Sequence, residues 1–330
     1  MTSLGAAPVL HGDVVIAAAR LGDWPVRTPL LNFPALDAAC GGRIWLKPEN
    51  LQLTGSFKFR GAMNRLLAIP AEARGGGVVA YSSGNHAQGV ARAAKLLGMP
   101  ATIVMPADAP KLKVERTRAD GAEVVFYDRL TESRETIAAT IAEARGALIV
   151  PPFADPLIIA GQGTAGLEAV ADLAAKGETA DLALVCCGGG GLAGGFAAGS
   201  QLPTVIVEPE GYDDVCRSLA AGQILPVVNP GPTRCDALQT LRMAEITFAT
   251  LRHHGATGVA VSEAEVARAV AFAFRELKLV VEPGGAVTLA ALLAGKIDVR
   301  GKTVIATLSG GNIDASTLID ILHEAGEVPA

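Results

Sequence analysis

Residues 54–62 have the sequence Thr54-Gly55-Ser56-Phe57-Lys58-Phe59-Arg60-Gly61-Ala62, which places an ammonium group between two phenylalanines. Apolar neighbours exclude water, and the loss of hydration disfavours the charged form of an amine, so we expect the pKa of Lys58 to be lowered. A lysine that is neutral near pH 7 has the free lone pair that a Schiff-base lysine needs. The alternative is a structural lysine whose stem covers apolar surface while its tip reaches water. Whether Lys58 is a Schiff-base lysine or a structural lysine depends on the residues that accompany it elsewhere in the chain.

Downstream of this segment, short apolar runs alternate with stretches of helical periodicity. Strands are predicted at residues 78–82, 101–105, 122–127, 147–150, 182–187, 204–208 and 302–308. Helices are predicted at 85–97, 111–119, 132–145 and 264–277, the last of them preceded by a capping box formed by Ser262 and Glu265. This alternation is typical of the α/β class with parallel sheets, in which ligands bind at the carboxyl ends of the strands.

Three strand-to-helix corners carry polar residues or glycines. The first is Ser82-Ser83-Gly84-Asn85-His86-Ala87-Gln88-Gly89, at a predicted helix N-terminus. The backbone donors and the helix dipole there favour an anion such as a carboxylate. The alternative is ordinary N-capping by Ser83 or Asn85.

The second corner is Gly188-Gly189-Gly190-Gly191-Leu192, directly after an apolar strand. Such a run lets the backbone approach a ligand and direct its N–H groups at a phosphate. It also satisfies the dinucleotide pattern G-x-G-x-x-A, with Glu208 at the end of the next strand, so a nicotinamide-dependent oxidoreductase is a competing hypothesis. The third corner is Leu308-Ser309-Gly310-Gly311-Asn312, where Ser309 either faces a cleft or caps a helix that begins near Asp314.

Taken in this order along the chain, the four segments resemble the fold-type-II family of pyridoxal-phosphate enzymes, whose fold is similar to that of the tryptophan synthase β chain. The resemblance is to the branch of serine/threonine dehydratases, serine racemase and 3-hydroxyaspartate dehydratases. It implies two α/β domains with parallel-rich twisted sheets flanked by helices. A large cofactor-binding domain would comprise residues 1–77 and 153–330, and a small substrate domain, residues 78–152, would be inserted in it. The oxidoreductase hypothesis loses its support, because it leaves Lys58, Asn85 and Ser309 without a role.

The resemblance also implies a role for each matching position. Lys58 would hold pyridoxal phosphate through Nζ, with Phe57 against the ring, Asn85 at the 3′-oxygen and Ser309 at the pyridine nitrogen. The phosphate would be bound by the backbone of Gly188, Gly189, Gly190, Gly191 and Leu192. The substrate carboxylate would be bound by Ser82, Ser83, Gly84, Asn85 and His86.

A neutral serine at the pyridine nitrogen does not keep that nitrogen protonated, so the ring is a weaker electron sink than it is beside a carboxylate. Prompt loss of a β-substituent suits this situation. We therefore predict β-elimination from L-threonine, L-serine or 3-hydroxyaspartate, which yields a 2-oxo acid and ammonia, with Lys58 taking the Cα proton. Ser83 is a second catalytic candidate. Its hydroxyl either acts as an acid/base on the opposite face, which would permit serine racemisation alone or as a second activity, or only binds the carboxylate.

Two further segments are matched to binding roles. Glu208-Pro209-Glu210-Gly211-Tyr212-Asp213-Asp214 resembles the family's divalent-cation site, with the carboxylates of Glu208 and Asp214 and the carbonyl of Tyr212 as implied ligands of Mg²⁺ or Ca²⁺. The alternative is an acidic surface loop.

Arg134 matches an arginine of serine racemase that approaches dicarboxylates, so it could bind the second carboxylate of 3-hydroxyaspartate. The alternative is a solvated helix residue paired with a nearby glutamate. The segments 235–238 and 282–285 also match family segments near the cleft, and we expect supporting roles for them.

Composition excludes several classes of partner. The net charge of −5 and the aromatic content of 4% argue against nucleic acid and anionic membrane surfaces. We found neither a signal-peptide pattern nor an apolar run long enough to span a membrane, and the spacing of the five cysteines matches neither zinc nor redox pairs. A cytoplasmic location with buried thiols is therefore expected. The expected partners are a small-molecule amino acid and a second copy of the chain in a homodimer.

Overall fold

The structure, a computed structural model, describes residues 6–82, 84–109 and 111–326. Ser83, predicted to be catalytic and to bind substrate, lies outside the described residues. The strands are β1 Leu31–Asn32, β2 Arg43–Pro48, β3 Val78–Tyr81, β4 Ala101–Pro106, β5 Glu123–Tyr127, β6 Leu148–Ile149, β7 Leu182–Cys186, β8 Thr204–Pro209, β9 Thr257–Val261 and β10 Thr303–Leu308. The α-helices are α1 His11–Leu21, α2 Pro34–Cys40, α3 Lys58–Leu67, α4 Asn85–Leu96, α5 Lys111–Ala119, α6 Arg134–Arg145, α7 Pro156–Ala174, α8 Gly191–Ser200, α9 Asp214–Ala221, α10 Glu245–His253, α11 Glu263–Arg275, α12 Val287–Leu293 and α13 Ala315–Glu324.

These strands form two sheets. One has the order β1-β2-β10-β7-β8-β9 and the other the order β5-β4-β3-β6. Within the described residues, β1 runs antiparallel to β2 and all other strand pairs are parallel. The predicted α/β class with parallel-rich sheets is confirmed.

The central strands explain why the larger sheet is stable. All five residues of β7 are buried, and so are five of the six in β10. Strands this uniformly apolar are typical of a parallel sheet that helices cover on both faces. Their carboxyl ends therefore lie inside the protein, next to the loops that begin the following helices.

Local signals set several helix boundaries. The Ser262 hydroxyl accepts a hydrogen bond from the Glu265 N–H at 3.3 Å, and the Glu265 carboxylate accepts one from the Ser262 N–H at 2.7 Å, as the predicted capping box requires. The predicted helix at 132–145 begins two residues later, at Arg134, because Ser133 is its N-cap and accepts from the Thr136 N–H at 3.2 Å. Most of the other predicted elements agree with the structure to within one or two residues.

Helix α3 lies between the two sheets. Its apolar residues Phe59, Met63 and Leu66 belong to the core that includes β3 and β4, and it also packs against α4 and α7. Helices α7 and α8 approach closely, since a Cβ on Gly195 would lie 2.2 Å from the Ile159 carbonyl oxygen. These contacts fix the first turns of α3, α4 and α8 relative to one another.

The five cysteines are free, as predicted, although Cys40 and Cys216 are only half-buried. In the part of the chain that the structure describes, no helix has the length and apolarity needed to cross a membrane.

Candidate active site

The three predicted corners and the Lys58 segment meet at one cavity of about 600 Å³. It lies where β3, β7 and β10 end and α4 and α8 begin. Among the residues that line it are Phe57, Lys58, Ser82, Gly84, Asn85, His86, Gly188, Gly189, Gly190, Gly191, Leu192, Tyr212, Arg134 and Ser309. Of the described residues with predicted roles, Glu208 and Asp214 lie outside its lining.

Lys58 is the first residue of α3 and faces the cavity. Its Nζ donates a hydrogen bond to the Pro152 carbonyl oxygen at 2.9 Å and lies 5.1 Å from the centroid of the Phe57 ring. Burial lowers the pKa of Lys58 to about 8. In the described part of the chain Lys58 forms no salt bridge, so no carboxylate holds the ammonium form.

A buried ion cluster anchors the helix that carries Lys58. The Arg60 guanidinium, fully buried, binds Glu49 through Nε at 2.7 Å and Glu168 through Nη1 at 2.7 Å. Lys47 donates to the same Glu168 carboxylate at 2.7 Å, and Thr28 donates to Glu49 at 2.7 Å. This cluster was not predicted from the sequence, although the charged residues Lys47 and Arg60 inside apolar segments were a signal for it.

The first corner is built around Asn85. Helix α4 begins at Asn85 and its N-cap is Gly84, which has no side chain to cap it. The Asn85 side chain does not cap the helix either, since its Nδ2 donates to Glu282 Oε1 at 2.5 Å and its Oδ1 accepts from Asn312 at 2.8 Å. The N–H groups of the first turn thus receive no side-chain cap from Gly84 or Asn85, and a helix N-terminus of this kind binds anions.

His86 is neutral in this site. Its Nε2 lies 2.9 Å from the Val150 carbonyl oxygen, so that nitrogen carries the proton, and its buried Nδ1 has no hydrogen-bond partner within the described part of the chain. Burial, together with the charge of Lys58, lowers the pKa of His86 to about 3. His86 can therefore hold a hydrogen bond but cannot serve as a general acid near pH 7.

The second corner has the shape of a phosphate cradle. Gly190 has φ of 84°, a left-handed conformation, and α8 begins at the next residue. A Cβ on Gly189 would lie 2.5 Å from Cδ1 of Phe153, so Phe153 excludes larger residues there. The glycines keep open the space in front of the first N–H groups of α8, which fits a bound phosphate.

Ser309 follows β10 and is buried at 4% exposure. Its carbonyl oxygen accepts a hydrogen bond from the Phe57 N–H at 3.1 Å, so the Ser309 corner is tied to the residue before Lys58. It does not cap the following helix, since the N-cap of α13 is Asp314. Ser309 also lines the cavity, so its neutral hydroxyl is available to a pyridine nitrogen that has no carboxylate partner.

Glu282 was predicted to play at most a supporting role, and the structure places it in the cavity lining. It is 1% exposed, and its Oε2 has no hydrogen-bond partner among the described residues. Burial and, to a smaller extent, the charge of Asp236 raise the pKa of Glu282 to about 7, against the opposing charge of Lys113 and the hydrogen bond from Asn85. Glu282 therefore changes charge near neutral pH while it holds Asn85.

The two acidic residues of the predicted cation site are buried, not part of an acidic surface loop. Glu208 accepts hydrogen bonds from the Cys216 and Val215 N–H groups at 2.7 and 3.4 Å, and Asp214 accepts one from the Met243 N–H at 3.2 Å. The other Asp214 oxygen, Oδ1, is buried and has no hydrogen-bond partner in residues 6–82, 84–109 and 111–326. Burial raises the pKa of Asp214 to about 6 and that of Glu208 well above its usual range.

These observations fit a divalent cation, which would offset the loss of hydration of the two buried carboxylates. The protein ligands are few, however. No group of three or more His, Cys, Asp and Glu side chains comes together as a metal site among the described residues. Any cation would rely on backbone carbonyls and water for its remaining ligands.

Arg134 is half-exposed and its Nε pairs with Glu135 at 2.8 Å, which is the arrangement of the alternative considered for it. It also borders the cavity, with Cζ 5.4 Å from the centroid of the Tyr81 ring. A second cation, Lys113 on α5, was not predicted. It is 7% exposed and pairs with Asp236, which also lines the cavity.

Comparison with known proteins agrees with this site. A profile described as "Pyridoxal-phosphate dependent enzyme" matches residues 23–310. The chain is 44% identical to an L-threo-3-hydroxyaspartate ammonia-lyase from Pseudomonas sp., over 94% of this chain and 98% of the relative.

Two solved structures have similar folds. Threonine deaminase from T.th. superimposes with a TM-score of 0.86 at 43% identity, covering 92% of this chain and 99% of that one. Maize serine racemase superimposes with a TM-score of 0.89 at 33% identity, covering 97% and 98%. With Lys58, the glycine cradle and Ser309 brought to one cavity, these matches lead to a single conclusion: the chain belongs to the family of pyridoxal-phosphate-dependent enzymes.

Proposed function

We propose that this protein is an ammonia-lyase that removes the β-hydroxyl and the amino group from a 3-hydroxy amino acid: L-threonine, L-serine or 3-hydroxyaspartate. The observation that carries the proposal is the position of Lys58 Nζ. It faces the cavity that Ser309 and the glycine cradle also line, and the oxygen it bonds is a neutral carbonyl. The ammonia-lyase and threonine deaminase similarities support the same reaction class.

In this proposal each group of residues has its own role in binding or proton transfer. The first turn of α4 would bind the substrate carboxylate, and Gly188–Leu192 would hold the cofactor phosphate through backbone N–H groups. Phe57 and Asn85 would contact the cofactor ring, and Ser309 would hydrogen-bond its nitrogen. Pyridoxal phosphate, when bound, supplies the electron sink that makes the Cα–H bond acidic. Lys58 Nζ, with its lowered pKa, would take that proton, and the β-hydroxyl would leave with a proton as water. The enamine that remains would be released and hydrolysed to the 2-oxo acid and ammonia.

A substrate panel tests the proposal. The purified protein with pyridoxal phosphate is incubated with L-serine, L-threonine and the 3-hydroxyaspartate isomers, and 2-oxo acid and D-amino acid are measured together. We expect 2-oxo acid from at least one of them, and none from Lys58→Ala. Formation of D-amino acid without 2-oxo acid would replace the lyase with a racemase.

Racemisation is a second candidate activity, supported by the similarity to maize serine racemase and by Ser83 in the sequence. A hydroxyl on the face opposite Lys58 would return a proton to Cα from the other side. Ser83→Ala should then abolish racemisation of serine and spare elimination from the L-isomer. Persistent racemisation by this variant would exclude Ser83 as the second acid/base.

Three finer parts of the proposal concern binding and location. A divalent cation, Mg²⁺ or Ca²⁺, would be held by Glu208, Asp214 and the Tyr212 carbonyl, with a structural or activating role. A homodimer is expected, and light scattering on the purified protein tests it. A cytoplasmic location stays a prediction, as do residues 78–152 as a separate inserted domain.

A further inference from the structure

The cavity contains a cation for which the reaction described above has no use. Five Lys and Arg residues line it among those described: Lys58, Lys113, Arg129, Arg134 and Arg242. The side chains of the three arginines are 46%, 46% and 55% exposed, and each is paired with a solvent-exposed carboxylate. The Lys113 side chain is only 9% exposed. Lys113 is therefore the cation that a ligand inside the cavity would meet, apart from Lys58 itself.

The partner of Lys113 comes from a distant part of the chain and also lines the cavity. Lys113 belongs to α5, which packs against β5 of the four-stranded sheet, and Asp236 belongs to the segment 236–238. The Asp236 side chain is 48% exposed. Its carboxylate can turn to water at little cost, whereas the buried ammonium of Lys113 cannot follow it. The pair is thus asymmetric, and another carboxylate inside the cavity can replace Asp236.

The position of Lys113 selects the kind of carboxylate. Its Nζ lies 3.7 Å from where a Cβ of Gly84 would be, beside the loop and helix start that would hold the substrate's α-carboxylate. The helix start already supplies donors for that first carboxylate. In an amino acid with a carboxylate on Cβ, the two carboxyl carbons are joined through two tetrahedral carbons and lie at most about 4 Å apart. A second carboxylate on such a substrate therefore comes within reach of Lys113.

We propose that Lys113 is the specificity-determining residue for a dicarboxylic substrate, and that it exchanges Asp236 for the substrate's second carboxylate. This inference rests on the proposed lyase function and identifies the substrate class as a 3-hydroxy amino dicarboxylic acid. Monocarboxylic substrates such as L-serine leave the Lys113–Asp236 pair intact. Arg134, the residue predicted for this role from the sequence, stays with Glu135.

The test compares two substrates in matched variants. Lys113→Met removes the charge and keeps the length of the side chain, and Arg134→Gln is the control at the cavity rim. A charge-assisted hydrogen bond is worth about 10- to 150-fold, so we expect Lys113→Met to lower kcat/KM for L-threo-3-hydroxyaspartate by about that factor. We expect kcat/KM of Lys113→Met for L-serine to change less than about threefold. We expect Arg134→Gln to change kcat/KM for either substrate by less than about threefold.

Two further variants address folding and the exchange. Lys113→Arg should restore most of the preference for the dicarboxylate, and retention of the cofactor's visible absorbance checks that each variant is folded. Asp236→Asn removes the competing carboxylate, so it should raise kcat/KM for L-threo-3-hydroxyaspartate. If Asp236→Asn lowered kcat/KM for L-threo-3-hydroxyaspartate only, the exchange of carboxylates would be wrong. The role of Lys113 would be wrong if Lys113→Met lowered kcat/KM equally for both substrates. It would also be wrong if Arg134→Gln lowered kcat/KM for the dicarboxylate only.

A binding measurement separates this inference from the reaction itself. L-Aspartate and L-alanine lack the β-hydroxyl, and their binding is followed by the change in the cofactor's visible spectrum. Lys113→Met should weaken the binding of L-aspartate by about 10- to 150-fold and the binding of L-alanine by less than about threefold. If the wild-type protein bound L-aspartate in this way but eliminated from no hydroxy amino acid, the lyase proposal would fail and the recognition by Lys113 would stand. Unchanged L-aspartate binding in Lys113→Met would remove the recognition and leave the lyase.

Discussion

The side-chain amide of Asn85 donates a hydrogen bond to the buried carboxyl group of Glu282 at 2.5 Å. The bond joins the first residue of α4, beside the four-stranded sheet, to the segment that precedes α12, beside the six-stranded sheet. Asn85 also accepts from Asn312, so both ends of its amide are held. The residue expected to contact the cofactor's 3′-oxygen is thus oriented by a group whose charge changes near neutral pH.

Replacing Glu282 by Gln should flatten the pH dependence of stability. The pKa of Glu282 is raised to about 7 in the folded protein from an ordinary 4.5, so the folded state holds a proton that the unfolded state has lost. Glu282 therefore stabilises the fold fully below about pH 4.5, and that stability is lost as pH rises towards about 7, with a total of about 3 kcal/mol. Thermal unfolding at a series of pH values measures this slope.

Glu135→Gln is the control for Glu282, because Glu135 is an exposed carboxylate at the cavity rim. It should leave the slope between about pH 5 and pH 7 unchanged. The interpretation of Glu282 would be wrong if Glu282→Gln and the wild-type protein lost stability in parallel over this interval.

Cofactor uptake by the apoenzyme should follow the titration of Lys58. The neutral amine is the reactive form, and burial lowers the pKa of Lys58 to about 8 from 10.5. The rate of uptake, followed by visible absorbance after rapid mixing, should rise with pH to a midpoint near 8. Lys58→Arg should show no uptake of this kind. A rate that kept rising beyond about pH 10 would show an ordinary lysine.

Replacing Arg60 by Met should destabilise the protein strongly. The substitution leaves Glu49 buried without its cation and removes one of the two cations at Glu168, and breaking a buried ion pair from one side costs about 3–5 kcal/mol. The free energy of unfolding in urea measures the loss. Arg27→Met, which breaks the exposed pair with Asp172, should cost less than about 1 kcal/mol. Similar losses in the two variants would argue against the ion cluster as the anchor of α3.

Replacing Gly189 by Ala should weaken cofactor binding. The new Cβ would lie 2.5 Å from Phe153, and such overpacking costs about 1–3 kcal/mol, which the loop can relieve by moving out of the cradle. Equilibrium titration with pyridoxal phosphate should show a lower affinity, and a second substitution, Phe153→Leu, should recover part of it. Gly75→Ala is the matched control, because a Cβ there meets nothing within 4 Å. Unchanged affinity in Gly189→Ala would mean that the cradle tolerates a side chain.

Removal of divalent cations should lower both activity and thermal stability, and Mg²⁺ should restore them. Without a cation, the raised pKa of Asp214 means that stability falls as pH rises from about 4 towards about 6, and a bound cation should reduce this fall. The stabilisation should grow with the logarithm of Mg²⁺ concentration. Asp214→Asn should make the protein insensitive to chelator. A wild-type protein whose Tm and activity ignored the chelator would count against the cation site.

The sequence allowed most of the fold and the site to be predicted, because the corners are local features. A glycine run after an apolar strand, or a polar cluster before a helix, places its residues at a sheet edge whatever the rest of the chain does. For this reason the structure brings Lys58, Asn85, Gly188–Leu192 and Ser309 to one cavity. The roles of these residues stay predictions.

What could not be predicted are the pairs between distant segments. The bond from Asn85 to Glu282, the pair Lys113–Asp236 and the cluster around Arg60 join residues whose spacing carries no periodic signal. Lys113 belongs to a strongly polar helix, where a solvated face is the ordinary expectation. Its burial arises from contacts with other segments, among them the pair with Asp236 and the packing of α5 against α4 and β5.

The position of β10 has a consequence for how the protein is made. This strand, the last of those described, is inserted between β2 and β7 near the middle of the larger sheet, and the residue that follows it bonds to Phe57 beside Lys58. A ribosome must therefore deliver the chain as far as Ser309 before the early strands acquire their central neighbour. Cofactor captured during synthesis would mark chains that have reached this point, and chains truncated before β10 would be left with an open sheet edge and an unformed site.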